Sequence, residues 1–138
     1  MTEFVSLTFR KDEKLCSQKL MGELFLSGNS FLSYPLRIVW KIAEALPTES
    51  PAQAGFSVSK KLFRHAVDRN RLKRMIRESY RLNKSNLYES LNRSGVKLAV
   101  MLIYIGKEEL PYSKIQPAVS KAISKIAAQL PEGTIQGS

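Results

Sequence analysis

Two neighbouring stretches decide how this chain folds: Gly55-Phe56-Ser57-Val58-Ser59-Lys60-Lys61 and Arg69-Asn70-Arg71-Leu72-Lys73-Arg74-Met75-Ile76-Arg77-Glu78. The first belongs to a segment, Ala54 to Ser59, whose alternating sides predict a strand. The second sits in a helical pattern from about His65 to Asn83. Leu72, Met75, Ile76, Ser79 and Leu82 fall on one side of a helical wheel. Asn70, Lys73, Arg74, Arg77 and Arg81 fall within an arc of about 100° on the opposite side. One face can therefore pack on a sheet while the other presents guanidinium groups.

The charge follows the same division. The chain has 138 residues, 22 Lys+Arg against 12 Asp+Glu, and a net charge of +10. Residues 59 to 84 hold ten bases (Lys60, Lys61, Arg64, Arg69, Arg71, Lys73, Arg74, Arg77, Arg81 and Lys84) and two acids, Asp68 and Glu78, a net +8 that leaves +2 for the rest. Like charges at helical neighbours repel, so a merely solvated face normally mixes signs. A face this one-sided calls for a polyanion, either nucleic acid or an anionic membrane surface, whose phosphates neutralise it.

On the N-terminal side, Leu36 to Ile42 is rich in β-branched and aromatic residues and predicts a strand, with a third strand around Ser30 to Tyr34. Leu20, Met21, Leu24 and Phe25 recur at helical spacing over about Ser17 to Leu26, with Ser17 as N-cap and Gly28 as terminator. Residues 43 to 53 hold Pro47, Ser50 and Pro51 and read as a connection. The polar residues 83 to 95 read as another, ending at Gly95. Val96 to Ile105 is apolar at every position except Lys97, as in a strand buried on both faces. A last helix is expected over about Ser113 to Leu130, with Ile115, Val119, Ala122, Ile126 and Leu130 as its core stripe and Pro117 in its first turn. One domain spanning 1–138 is expected, with an ordered core of about 15–130 and mobile ends.

Several classes of protein fall away. A single cysteine, Cys16, allows neither an intrachain disulfide nor a Cys-based zinc site and reads as a small packing residue. The longest apolar run, Leu98 to Ile105, is far too short to span a bilayer. Met1-Thr2-Glu3-Phe4 shows no basic region leading into an apolar stretch, so no secretory signal is expected and the expected location is the cytoplasm. The acids are scattered, with no cluster for a two-metal nuclease. His65, the only histidine, has no evident Asp or Cys partner and reads as structural or as a contact to the polyanion.

The order strand, basic helix, buried strand, helix, together with Gly55 to Lys61 and the Arg69-Asn70-Arg71 string followed by Lys73-Arg74 and Arg77-Glu78, closely resembles the protein subunit of bacterial ribonuclease P. Leu24-Phe25-x-x-Gly28-x-Ser30 resembles that family's first helix and its exit. The resemblance runs over about 15–130, and its specific part is 55–81. Met21 and Phe25 stand where the family commonly has two aromatics, and Gln53 where it commonly has an arginine.

The resemblance implies an α+β single-domain α-β-β-β-α-β-α sandwich, like some ribosomal proteins, with a left-handed βαβ crossover around the basic helix. It implies two partners, a catalytic ribonuclease P RNA and precursor tRNA, but neither membrane nor DNA. The holoenzyme removes the 5′ leader of precursor tRNA. This chain would contribute no catalytic residue, metal ligand or cofactor of its own, with magnesium at the RNA active site. The expected RNA-binding set is Lys60, Lys61, Arg64, Arg69, Asn70, Arg71, Lys73, Arg74, Arg77 and Arg81, since flat guanidinium forks match phosphate oxygens. A leader-strand groove is expected among Met21, Phe25, Phe56 and Trp40, whose rings could stack on bases. For Trp40 core packing is the stronger reading. Two other functions compete: a free-standing ribonuclease, which would need a carboxylate cluster or an acid–base pair, and a ribosomal or DNA-binding accessory protein. A helix-turn-helix needs a helix before its recognition helix, whereas here a strand precedes.

Overall fold

In the computed structural model, which describes residues 9–43, 46 and 49–130, the elements run in the order α1 (Gln18–Ser27), β1 (Asn29–Ser33), β2 (Leu36–Ala43), β3 (Ala52–Val58), α2 (Ala66–Ser94), β4 (Lys97–Tyr104) and α3 (Tyr112–Gln129), with a short 3-10 turn at Lys11–Glu13 ahead of them. This is the α-β-β-β-α-β-α order that the resemblance implies. The four strands form one sheet in the order β1-β2-β4-β3. β1 and β2 make an antiparallel hairpin, β2 pairs antiparallel with β4, and β3 lies parallel beside β4 with α2 as the crossover between them.

Strand alternation divides the sheet into two faces. Leu36, Ile38 and Trp40 of β2, Ala52, Ala54 and Val58 of β3, and Leu98, Val100, Leu102 and Tyr104 of β4 build the main core with α2 and α3. Val39, Ala99 and Met101 point the other way and meet Leu15 and Leu24, with Leu20 and Met21 packed alongside. β4 supplies buried residues to both faces, which explains its unbroken apolar run from Leu98 onward.

The ends of α1 are as expected. Ser17 Oγ accepts a hydrogen bond from the Leu20 N–H at 3.2 Å. Gly28 closes the helix at ordinary φ, and its need is space: a Cβ there would lie 2.4 Å from the Leu24 carbonyl oxygen and 3.1 Å from that of Trp40.

Three expectations are corrected. The basic helix does not stop near Asn83 but runs 29 residues to Ser94, where Gly95 ends it at φ 76°. The polar run 83–95 conceals Leu87, Tyr88 and Leu91, all buried at helical spacing. Leu82 is 45% exposed and lies outside the core stripe. Pro117 is the sixth residue of α3 rather than a first-turn residue, because α3 begins at Tyr112.

The segment before α1 is also packed. Phe9 meets Phe56 and Tyr80 edge-on, with ring centroids at 5.5 and 5.8 Å. Leu15 N–H donates to the Ala54 carbonyl at 3.0 Å, and Gln53 Nε2 donates to the Asp12 carbonyl at 3.1 Å, so this segment lines the outer edge of β3. Phe9 and the residues after it are thus already packed, ahead of the expected boundary at 15. The expectations for residues 1–8, for the tail from Pro131 and for positions 44, 45, 47 and 48 of the 43–53 connection lie outside the described residues.

Glu13 and Lys84 meet in the interior, 2% and 1% exposed, where the lysine ammonium bonds Glu13 Oε1. The Tyr88 hydroxyl donates to the same oxygen at 2.6 Å, and the Arg10 backbone N–H donates to Glu13 Oε2 at 2.8 Å. Burial, above all, raises the Tyr88 phenol far above its usual pKa, so it stays protonated and keeps that bond.

Candidate nucleic-acid interface

The connection from β3 to α2 is built to push cations outward. Ser59 Oγ accepts from the N–H groups of Lys61 and Leu62 at 3.1 and 3.4 Å, and the Phe63 N–H donates to the Ser59 carbonyl. Phe63 anchors the loop, buried against the Tyr104 ring at 5.8 Å. Lys60, Lys61 and Arg64 are left exposed on its outer side.

On α2, Leu72 and Ile76 are fully buried, and Asn70, Arg74 and Arg77 are exposed with Lys73 half-buried beside them. The helical wheel is right for this half of the helix. Lys60, Lys61, Arg64, Lys73, Arg74 and Arg77 make no side-chain hydrogen bond or ion pair among the described residues. Their charge is available to an external anion.

The remaining sequence-predicted bases are already engaged. Arg69 donates from one guanidinium nitrogen to the carbonyls of Phe63 and Arg64 at 2.8 and 2.9 Å and so fastens the loop to the helix. Arg71 lies between Asp68, at 3.3 Å, and Glu109, which it also bonds. Arg81 grips Glu78 with two bonds of 2.6 and 3.2 Å, which hold the Glu78 carboxyl below its ordinary pKa. Lys84, counted with the cationic stretch by sequence, is buried against Glu13. Arg69 and Arg71 therefore shape the surface, and Arg74 and Arg77 present it. That Phe63, Arg64 and Glu109 would be their partners carried no signal in the local pattern.

The four residues expected to share a groove lie on different faces of the sheet. Trp40 is 3% exposed in the main core, beneath the helices. Phe56, on the same face, is half-buried against Phe9 and Tyr80. Strand alternation turns both toward α2 and α3, so Trp40 packs in the core as its stronger reading had it, and Phe56 is corrected from the groove to a packing residue. Met21 and Phe25 lie on the opposite face, with Phe25 56% exposed. There a cleft of about 270 Å³ runs between α1 and the sheet, lined by Phe25, Gly28, Ser30, Arg37, Val39 and Ile103. Arg37, whose Nε donates to Ser30 Oγ at 3.2 Å, places a cation in that cleft that sequence reading missed.

His65 is exposed at the N-cap of α2 and makes no side-chain cap bond. Cys16 is exposed, so it is not the packing residue expected. Among the described residues no three His, Cys, Asp or Glu side chains come together in a group able to hold a metal ion. Nor, among them, is any helix long and apolar enough to cross a membrane.

The fold and its basic face define a small α+β domain with one strongly cationic helix surface. The family model described as Ribonuclease P matches residues 9–127, and the chain belongs to that family. A ribonuclease P protein component from Porphyromonas gingivalis is 30% identical over 136 residues, covering 99% of this chain and 98% of the relative. One from Chlorobium phaeobacteroides is 40% identical over 106 residues, covering 72% and 73%. The fold matches the ribonuclease P protein of Staphylococcus aureus with a TM-score of 0.67 at 22% identity, covering 88% of this chain and 100% of that one. It matches that of Thermotoga maritima with a TM-score of 0.64 at 19% identity, covering 82% and 96%. As a member of this family the chain is the protein component of a ribonuclease.

Proposed function

We propose that this chain binds a catalytic RNA through Lys60, Lys61, Arg64, Asn70, Lys73, Arg74 and Arg77, and that the assembly removes the 5′ leader of precursor tRNA in the cytoplasm. The observation that carries this is the α2 surface, where side chains with no partner among the described residues stand opposite a fully buried stripe. Arg69, Arg71 and Arg81 support that surface from within the protein. The leader strand lies in the cleft between α1 and the sheet, its phosphates near Arg37 and a base against Phe25.

The chemistry belongs to the RNA. A divalent ion such as magnesium supplies Lewis-acid and water-activating power in phosphodiester hydrolysis. Among the described residues no three His, Cys, Asp or Glu side chains gather to hold such an ion. Purified chain stripped of nucleic acid is expected to leave precursor tRNA intact. Adding the RNA subunit of the same organism should give leader removal at low magnesium, more efficiently than that RNA alone. Cleavage by RNA-free protein would overturn the proposal and favour a free-standing ribonuclease.

Phe25→Ala tests the cleft. The ring is more than half exposed, so the thermal midpoint should hardly move. Losing one stacked base should cost about 1–3 kcal/mol in binding precursor that carries a leader, and nothing in binding mature tRNA. Equal weakening of the two RNAs would remove Phe25 from the leader site.

A further inference from the structure

We infer that a second RNA-binding cleft lies between α3 and the β1 edge, away from both the α2 surface and the α1 cleft, and that it takes an unpaired stretch of the RNA partner. This rests on the RNA-binding reading above and adds a separate attachment to it. The cleft has a volume of about 430 Å³ and is lined by Phe31, Leu32, Tyr34, Lys114, Lys121 and Lys125 among others. No Asp or Glu lines it among the described residues, and α3 itself, Tyr112–Gln129, contains no acid.

The three lysines recur at spacings of seven and four, which puts them within about 40° of one another on the helix. Like charges so aligned repel one another. Lys125 Nζ sits 4.5 Å from the Phe31 ring centroid, which fixes this row on the β1 side of α3. The Ser33 hydroxyl donates to the Ala118 carbonyl at 2.8 Å and holds the cleft walls together. At its mouth Tyr34 is 67% exposed and Leu32 66%.

Cations in a row beside an exposed aromatic ring are what a single strand requires: phosphates follow the ammonium groups and a base stacks on the ring. A duplex would present its phosphates but no free base to Tyr34. The location narrows the partner further. α2 covers the β3–β4 half of the sheet and α3 the β1–β2 half. A polyanion held at both basic surfaces must pass around the domain, as a large folded RNA can.

The test uses full-length protein and the RNA subunit transcribed from the same organism, with affinity measured across a salt series. The triple variant Lys114→Gln, Lys121→Gln, Lys125→Gln should flatten the log affinity–log salt plot by about 0.7 for each phosphate no longer neutralised, about 2 if all three lysines engage. Affinity near 0.15 M salt should fall roughly tenfold or more. Tyr34→Ala should weaken binding about fivefold or more while leaving the slope unchanged. Lys11→Gln, an exposed cation outside both surfaces, should change neither. An unchanged slope in the triple variant, with Arg74→Ala, Arg77→Ala still flattening it, would overturn the second cleft alone and favour an acidic protein as its occupant. No salt-dependent RNA binding by the unmodified chain would overturn the RNA-binding reading itself.

Discussion

Glu13→Gln is expected to destabilise the fold by about 3–5 kcal/mol, because it leaves the Lys84 ammonium buried without its counter-charge. Glu13 accepts from Lys84, from Tyr88 and from the Arg10 backbone, so the neutral amide also loses charge-assisted bonds. Lys84→Met should also destabilise, though by less, since the carboxylate keeps the Arg10 guanidinium at 3.8 Å and its bonds from Tyr88 and the Arg10 backbone. The double variant should cost clearly less than the two singles added together, because neither charge then remains to be buried. Urea denaturation of the three variants supplies the cycle. Single-variant losses below about 1 kcal/mol would mean that water reaches the pair in solution and that it behaves as a surface bridge. The substitutions lie away from the exposed α2 cations, so whatever remains folded should keep its dependence of RNA affinity on salt.

The opposite pattern is expected of Arg74→Ala, Arg77→Ala. Both side chains are exposed and make no ion pair among the described residues, so their loss should leave stability unchanged or raise it slightly by relieving repulsion. RNA affinity should fall and its salt dependence flatten by about 0.7 to 0.9 for each phosphate that the variant no longer neutralises, through reduced counterion release. Ile76→Ala, on the buried side of the same helix, should instead cost about 2–5 kcal/mol of stability and leave the salt slope alone. If the arginine pair changes stability but not the slope, this face is a structural ion-pair network and the assignment of RNA to α2 fails.

The strands and the first half of α2 were legible because alternation and helical spacing reported burial directly. Ser17 and Gly28 bounded α1, and the charge imbalance picked out the cationic face. The second half of α2 was hidden by Asn83-Lys84-Ser85-Asn86, which looks like a solvated loop until Glu13, 71 residues earlier, is seen to bury Lys84. The same distance effect concealed the work of Arg71, whose partner Glu109 lies beyond β4. For the groove, alternation could separate Phe56 from its neighbours Gly55 and Ser57. It could not tell which side of the sheet carries α1, and that choice sends Phe56 and Trp40 into the packing and leaves Phe25 at the cleft.

The strand order β1-β2-β4-β3 also bears on how the chain matures during its own synthesis. The β1–β2 hairpin can pair as soon as Ala43 has emerged, but β3 has no strand neighbour among the described residues except β4. Phe9 must wait for Tyr80, and Glu13 for Lys84. Closing such long loops defers the reward of folding until the far partner exists. The nascent chain therefore cannot seal its sheet before Tyr104 has left the ribosome. By then every cation of the α2 surface has already been made, so that surface is displayed in full when the domain closes.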